Sequence, residues 1–182
     1  MITFLKAEEQ HQHSNGGGWV ANTAVVAASA YIGPDAWVSD NAQVCDNARV
    51  YGNAWVYGTA QVYDNARVFG NAQVYGNARV FGNAQVYGNA LVYGNARVYG
   101  DALVSGNAWA VSPLYIQGTR HAITNSAYGF LNVGCIKLSF SEWKKQYKAI
   151  GKQQGYTPAQ IKEYGALIKF AMKIGKAAKR GK

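Results

Sequence analysis

The residues best equipped for chemistry in this 182-residue chain cluster late in the sequence. Arg120 and His121 are adjacent, and Cys135 follows them. A cysteine and a histidine that meet can serve as nucleophile and base. Nothing in their spacing brings them together, so a buried Cys135 in a core strand over 131–136 is the simpler expectation. Lys137, Lys144, Lys145 and Lys148 come next. With Arg120 and His121 they form a candidate anion-binding set, since guanidinium and ammonium groups pair with phosphate and carboxylate. His11 and His13 could hold a metal weakly, but a polar tail is the expectation there. No metal site and no cofactor is expected.

Charge sharpens this picture. The net charge is +9, yet residues 1–18 and 19–116 each carry −1. Residues 117–182 carry 13 Lys and Arg against only Glu142 and Glu163, a balance of +11. Such asymmetry points to an acidic partner (nucleic acid, a nucleotide, a membrane surface or an acidic protein) unless the lysines merely keep the chain soluble. No apolar run approaches the roughly 18 residues of a membrane span. The start, MITFLKAEEQHQHS, does not read as a secretion signal. Two cysteines, Cys45 and Cys135, make no disulfide framework, so a reducing cytoplasm is the expected compartment.

What must position these residues is a repeat. From Val20 an aliphatic residue recurs every six positions to Val104. Four residues after each comes a small residue, nearly always alanine, and between them sits Gly-Asn or Asp-Asn, as in Gly52-Asn53 and Asp64-Asn65. Alanine and the next valine lie two apart, on the same side of a strand. Gly, Asp and Asn supply the tight corner. A short strand and a corner, repeated, describe a triangular coil of 18 residues. At ~4.8 Å between stacked strands, five coils give a prism about 24 Å long.

The V-x-G-N-A-x array over about 19–116 resembles the hexapeptide-repeat family. That resemblance implies a mainly β fold, a left-handed parallel β-helix of about five coils. It is similar above all to phage and prophage members of that family. Other members are acyltransferases and zinc carbonic anhydrases. An acyltransferase would need a histidine base, and His121 is the one candidate near the array. The anhydrase reading fails, because no histidine lies inside the repeat.

Outward positions 18 apart should stack. One wall then carries Trp19, Trp37, Trp55, Gln73, Leu91 and Trp109 beside Tyr57, Tyr75 and Tyr93. So large an apolar surface needs a cover, either the chain's own C-terminal module or other subunits, with a trimer favoured. Arg49 stacks on Arg67, and Arg79 on Arg97, in this scheme.

After residue 116 the hexad breaks. Loop and short strands are expected over 117–133, then two helices. Ser139-Phe140-Ser141-Glu142 is a capping box, and Thr157-Pro158-Ala159-Gln160 starts the second helix. The 176–182 end is expected to fray. The organisation is therefore an N-terminal tail (1–18), a β-helix (19–116) and a small basic α-helical module (117–182). The leading functional expectation is a non-enzymatic binding protein. On an oligomeric scaffold, its basic module engages an anionic ligand, nucleotide or nucleic acid. The alternatives are a protein–protein scaffold or virion component, and an acyltransferase using His121.

Overall fold

A valine at every sixth position, alternating with alanine, can be buried in full only if the chain turns the same way at every corner. The computed structural model, which describes residues 9–106, 108–109 and 111–175, shows this arrangement. Every valine from Val38 to Val104 and every alanine from Ala30 to Ala96 along the repeat is fully buried, in one continuous core. Residues 18 apart pair in parallel register, for example Val20 with Val38 and Val68 with Val86.

Among the described residues this gives three walls. The first runs from Trp19–Ala21 through Trp37–Val38, Trp55–Val56, Gln73–Val74 and Leu91–Val92 to Ala108–Trp109. The second holds Val25–Val26, Gln43–Val44, Gln61–Val62, Arg79–Val80 and Arg97–Val98. The third holds Tyr31–Ile32, Arg49–Gly52, Arg67–Gly70, Gln85–Tyr87 and Leu103–Ser105. The coil therefore repeats about five times.

The corners explain the Gly-Asn and Asp-Asn pairs. From Val38 to Val104 the residue two after each valine takes a positive φ, +70° at Gly82 and +58° at Asp64. Glycine adopts this conformation freely, and aspartate is among the few others that do so at modest cost. Aspartate also gains something there. The Asp64 carboxylate accepts a hydrogen bond from Gly82 N–H one coil on, at 2.9 Å, and Asp40 does the same for Gly58 at 2.8 Å. The asparagines form a ladder, Asn53 donating to Asn71 and Asn71 to Asn89.

Both open ends of the prism are covered, as stacked coils require. The expected 1–18 tail supplies the first cover: Gln10–Gln12 pairs antiparallel with Trp19–Ala21, and the Ile32 amide donates to Asn15 O. Residues 1–8 of that tail lie outside the described residues.

The other end differs from the expectation for Trp109. Simple stacking would set Trp109 beside Leu91 and aim it outward. Instead Leu91 pairs with Ala108 and Val92 with Trp109. A slip of one residue moves a side chain to the opposite face of the sheet. Trp109 therefore points inward, 2% exposed, and plugs the core. It is a core residue, not an interface residue.

The C-terminal module has its own core. Four antiparallel strands, Tyr115–Gln117, Ala122–Ala127, Phe130–Val133 and Ile136–Ser139, form a sheet. Helices α1 (Phe140–Gln153) and α2 (Pro158–Gly175) pack on one face of it around Ile123, Leu131, Trp143, Tyr164 and Ile168. The sequence suggested only loop and short strands for 117–133. Both expected caps form: Ser139 with Glu142, and Thr157 with Gln160. Lys176 and the rest of 176–182 lie outside the described residues.

Candidate functional site

Arg120 and His121 sit on a tight turn leading into strand Ala122–Ala127, and α2 holds that turn in place. The Tyr164 hydroxyl accepts from the backbone N–H groups of Arg120 (2.9 Å) and His121, and donates to His121 O at 2.8 Å. Glu163, one residue earlier, accepts from the Thr119 N–H and hydroxyl at 2.9 and 2.6 Å. The Arg120 guanidinium lies over the Tyr156 ring at 4.9 Å and donates to Gly155 O at 3.1 Å. Stacking and one carbonyl fix its plane while most of its N–H donors stay uncommitted. Burial in the same cluster, with Tyr164 nearby, pushes the Tyr156 phenol above its usual range.

Cys135 is not buried. It is exposed, in the two-residue turn between strands Phe130–Val133 and Ile136–Ser139. Gly134 supplies the positive φ (+56°) that such a turn requires. The core positions beside it are taken by Leu131 and Val133. The hairpin folds back on the Arg120–His121 turn, so the His121 ring packs against Gly134.

Arg120, His121 and Cys135 thus meet on one cleft of about 390 Å³. Its opposite side is the third wall of the prism, through Asn83, Gln85, Asp101 and Leu103. Thr124 lies at its base. The wall residues carry no signal in the sequence, since each occupies an ordinary repeat position. Only the docking of the module on the last coil makes them neighbours.

The lysines of the candidate set fall elsewhere. Lys137 crosses to the last coil, donating to Ser105 Oγ at 2.8 Å with its ammonium 5.6 Å from the Phe130 ring. Its contacts make it a strut between module and prism. Lys144, Lys145 and Lys148 are exposed on α1, opposite the buried Trp143. Lys144 and Lys169 flank an apolar groove between the helices, floored by Tyr147 and Met172. The six-residue set therefore divides into a cleft pair, a strut and a helical patch.

Both carboxylates of the module are engaged within it. Glu142 accepts from Ser139 in the capping box, which holds its carboxyl below the usual range, and Glu163 binds Thr119. The helical lysines face solvent without a neutralising carboxylate among the described residues.

Neither helix packs on the tryptophan wall; both pack on the module's own sheet. The wall residues cover one another instead. Trp19 stacks on Trp37 at 5.9 Å, and Tyr57, Tyr75 and Tyr93 form a ladder at 4.8 and 5.2 Å. Trp55 leans on Tyr57 at 5.4 Å. The wall, Leu91 included, remains half-buried. On the other walls Arg49 pairs in register with Arg67, and Arg79 with Arg97. His11 and His13 diverge: His11 is exposed and bonded to Asn22, and His13 is buried over Asn15.

A family model described as the YdcK beta solenoid repeat matches residues 42–58, 60–73, 72–84, 84–98 and 96–110. The array is a β-solenoid repeat. No curated protein matches the chain, and no solved structure does. The matched stretch ends where the register slips at Trp109, so the family model covers the walls from residue 42 onward and leaves the module outside it. No helix among the described residues is long and apolar enough to cross a membrane.

Proposed function

We propose that the protein is a non-enzymatic cytoplasmic binding protein in which a rigid solenoid presents a basic module to nucleic acid. The exposed lysines of α1 and α2, set against two carboxylates already used inside the module, carry this reading. Nucleic acid is the polyanion that such a patch meets most often in the cytoplasm, and phosphate neutralisation supplies sequence-independent affinity. An accessory role in a phage or prophage, and a left-handed sense of winding, go with the resemblance of the repeat.

Fluorescence anisotropy with a labelled 20-nucleotide strand tests the assignment. The double variant Lys144→Glu, Lys145→Glu reverses two charges on an exposed helix face and leaves the core untouched. Binding is expected to weaken at least tenfold, with an unchanged melting temperature. Unchanged affinity would remove the helical patch from the function.

A second reading rests on the tryptophan wall, which the module leaves uncovered. Its half-buried rings suit a protein contact, either a cyclic homo-oligomer, with a trimer favoured, or a scaffold partner. Trp37→Ala with Trp55→Ala should then lower the mass measured by sedimentation.

A further inference from the structure

The cleft between module and solenoid is separate from the helical lysines and has the character of a small-molecule site. Its volume, about 390 Å³, lies within the range of ligand pockets. Its two sides differ chemically. The module side offers Arg120, pre-set by Tyr156 and Gly155, and His121, whose ring nitrogens bond no protein group among the described residues. No carboxylate among the described residues pairs with Arg120, so its charge is available to a ligand.

The solenoid side offers an acceptor and an amide. Asp101 takes a hydrogen bond from Asn83 on Oδ1 at 3.1 Å, which leaves Oδ2 open. Gln85 has no side-chain partner among the described residues. Between the two sides Thr124 also lines the cleft.

We propose that this cleft binds a phosphorylated sugar. The phosphate sits on Arg120 and His121, and the sugar hydroxyls reach Asp101, Gln85 and Thr124. A guanidinium with free donors matches phosphate geometry, and a carboxylate beside an amide matches a diol. Either a sugar phosphate or a mononucleotide provides this chemistry.

Isothermal titration of the full chain with ribose 5-phosphate, AMP, ribose and inorganic phosphate tests the proposal and distinguishes these sources. Ribose 5-phosphate is expected to bind at least tenfold more tightly than ribose or inorganic phosphate. AMP binding tenfold more tightly still identifies a nucleotide, and AMP binding equally or less tightly identifies a sugar phosphate. Asp101→Asn should weaken ribose 5-phosphate about tenfold, the loss of one hydrogen bond to a charged group. This variant keeps the fold, because asparagine occupies the equivalent corners at Asn71 and Asn89. Arg120→Ala should weaken it at least as much. Ribose 5-phosphate binding no better than inorganic phosphate, or equal binding by wild type and Asp101→Asn, overturns the proposal. Lys144→Glu, Lys145→Glu should leave this titration unchanged, so the cleft and the nucleic-acid patch fail or stand separately.

Discussion

Aspartate at the corners does two jobs that glycine divides. At Asp64 the backbone sits at φ +58°, a conformation that costs an ordinary residue roughly 1–2 kcal/mol. The carboxylate offsets this by accepting from Gly82 N–H. Asp64→Ala loses the bond and keeps the strain, so a loss of about 2 kcal/mol is expected in urea unfolding. Asp64→Gly relieves the strain and should cost less than half as much. Equal losses would show that the backbone conformation carries no energy there. The tyrosine ladder gives a pH signature at the same scale. Burial, then the neighbouring Tyr75 and Asp40, raises the Tyr57 phenol above 10.0, and burial with Tyr93 raises Tyr75. Below the unfolded value their contribution to stability is complete, and it is lost as pH rises through the folded values. The urea midpoint should therefore fall as pH rises above 10.0, and Tyr57→Phe should reduce that fall. The Asp-for-Gly exchange was legible in the sequence as turn chemistry; the hydrogen bond to the next coil was not, because it joins residues 18 apart.

The limits of reading by period are clearest among the elements. Six-residue spacing placed Val20 to Val104 and their alanines in the core, and the structure agrees at each position from Ala30 to Val104. It misplaced Trp109, because period alone cannot register a slip at the last coil. Filling the open end with a large ring outweighs continuing the pattern with a small residue. Trp109→Ala should cost about 3–5 kcal/mol, the range for an aromatic core deletion. A loss below about 1 kcal/mol would mean that the ring is not the plug. Cys135 was misplaced for a related reason: a short apolar run reads as a strand, and Gly134 turns it into a hairpin. The helices were read correctly from their capping boxes. Gly165, which interrupts the α2 stripe, proves to be where the Tyr147 ring seats, since a Cβ there would meet it at 2.6 Å.

At the scale of the molecule, a stiff rod carries nearly neutral walls and ends in a module of +11. The charge asymmetry was plain from composition. The cleft was not, because Gln85 and Asp101 acquire meaning only when the module docks against them. In the proposed function the rod holds the module apart from the tryptophan wall, so that one face would assemble while the other binds. If phosphate contacts drive the module's binding, affinity must fall steeply with salt, by a log–log slope of about −0.7 per contact on a single strand. Anisotropy of the labelled 20-nucleotide strand across 50–300 mM salt is the most direct test of that claim. Binding at low salt with a slope of about −2 or steeper is the predicted result, reduced in Lys144→Glu, Lys145→Glu. No binding at 50 mM salt, or an affinity indifferent to salt, would contradict it.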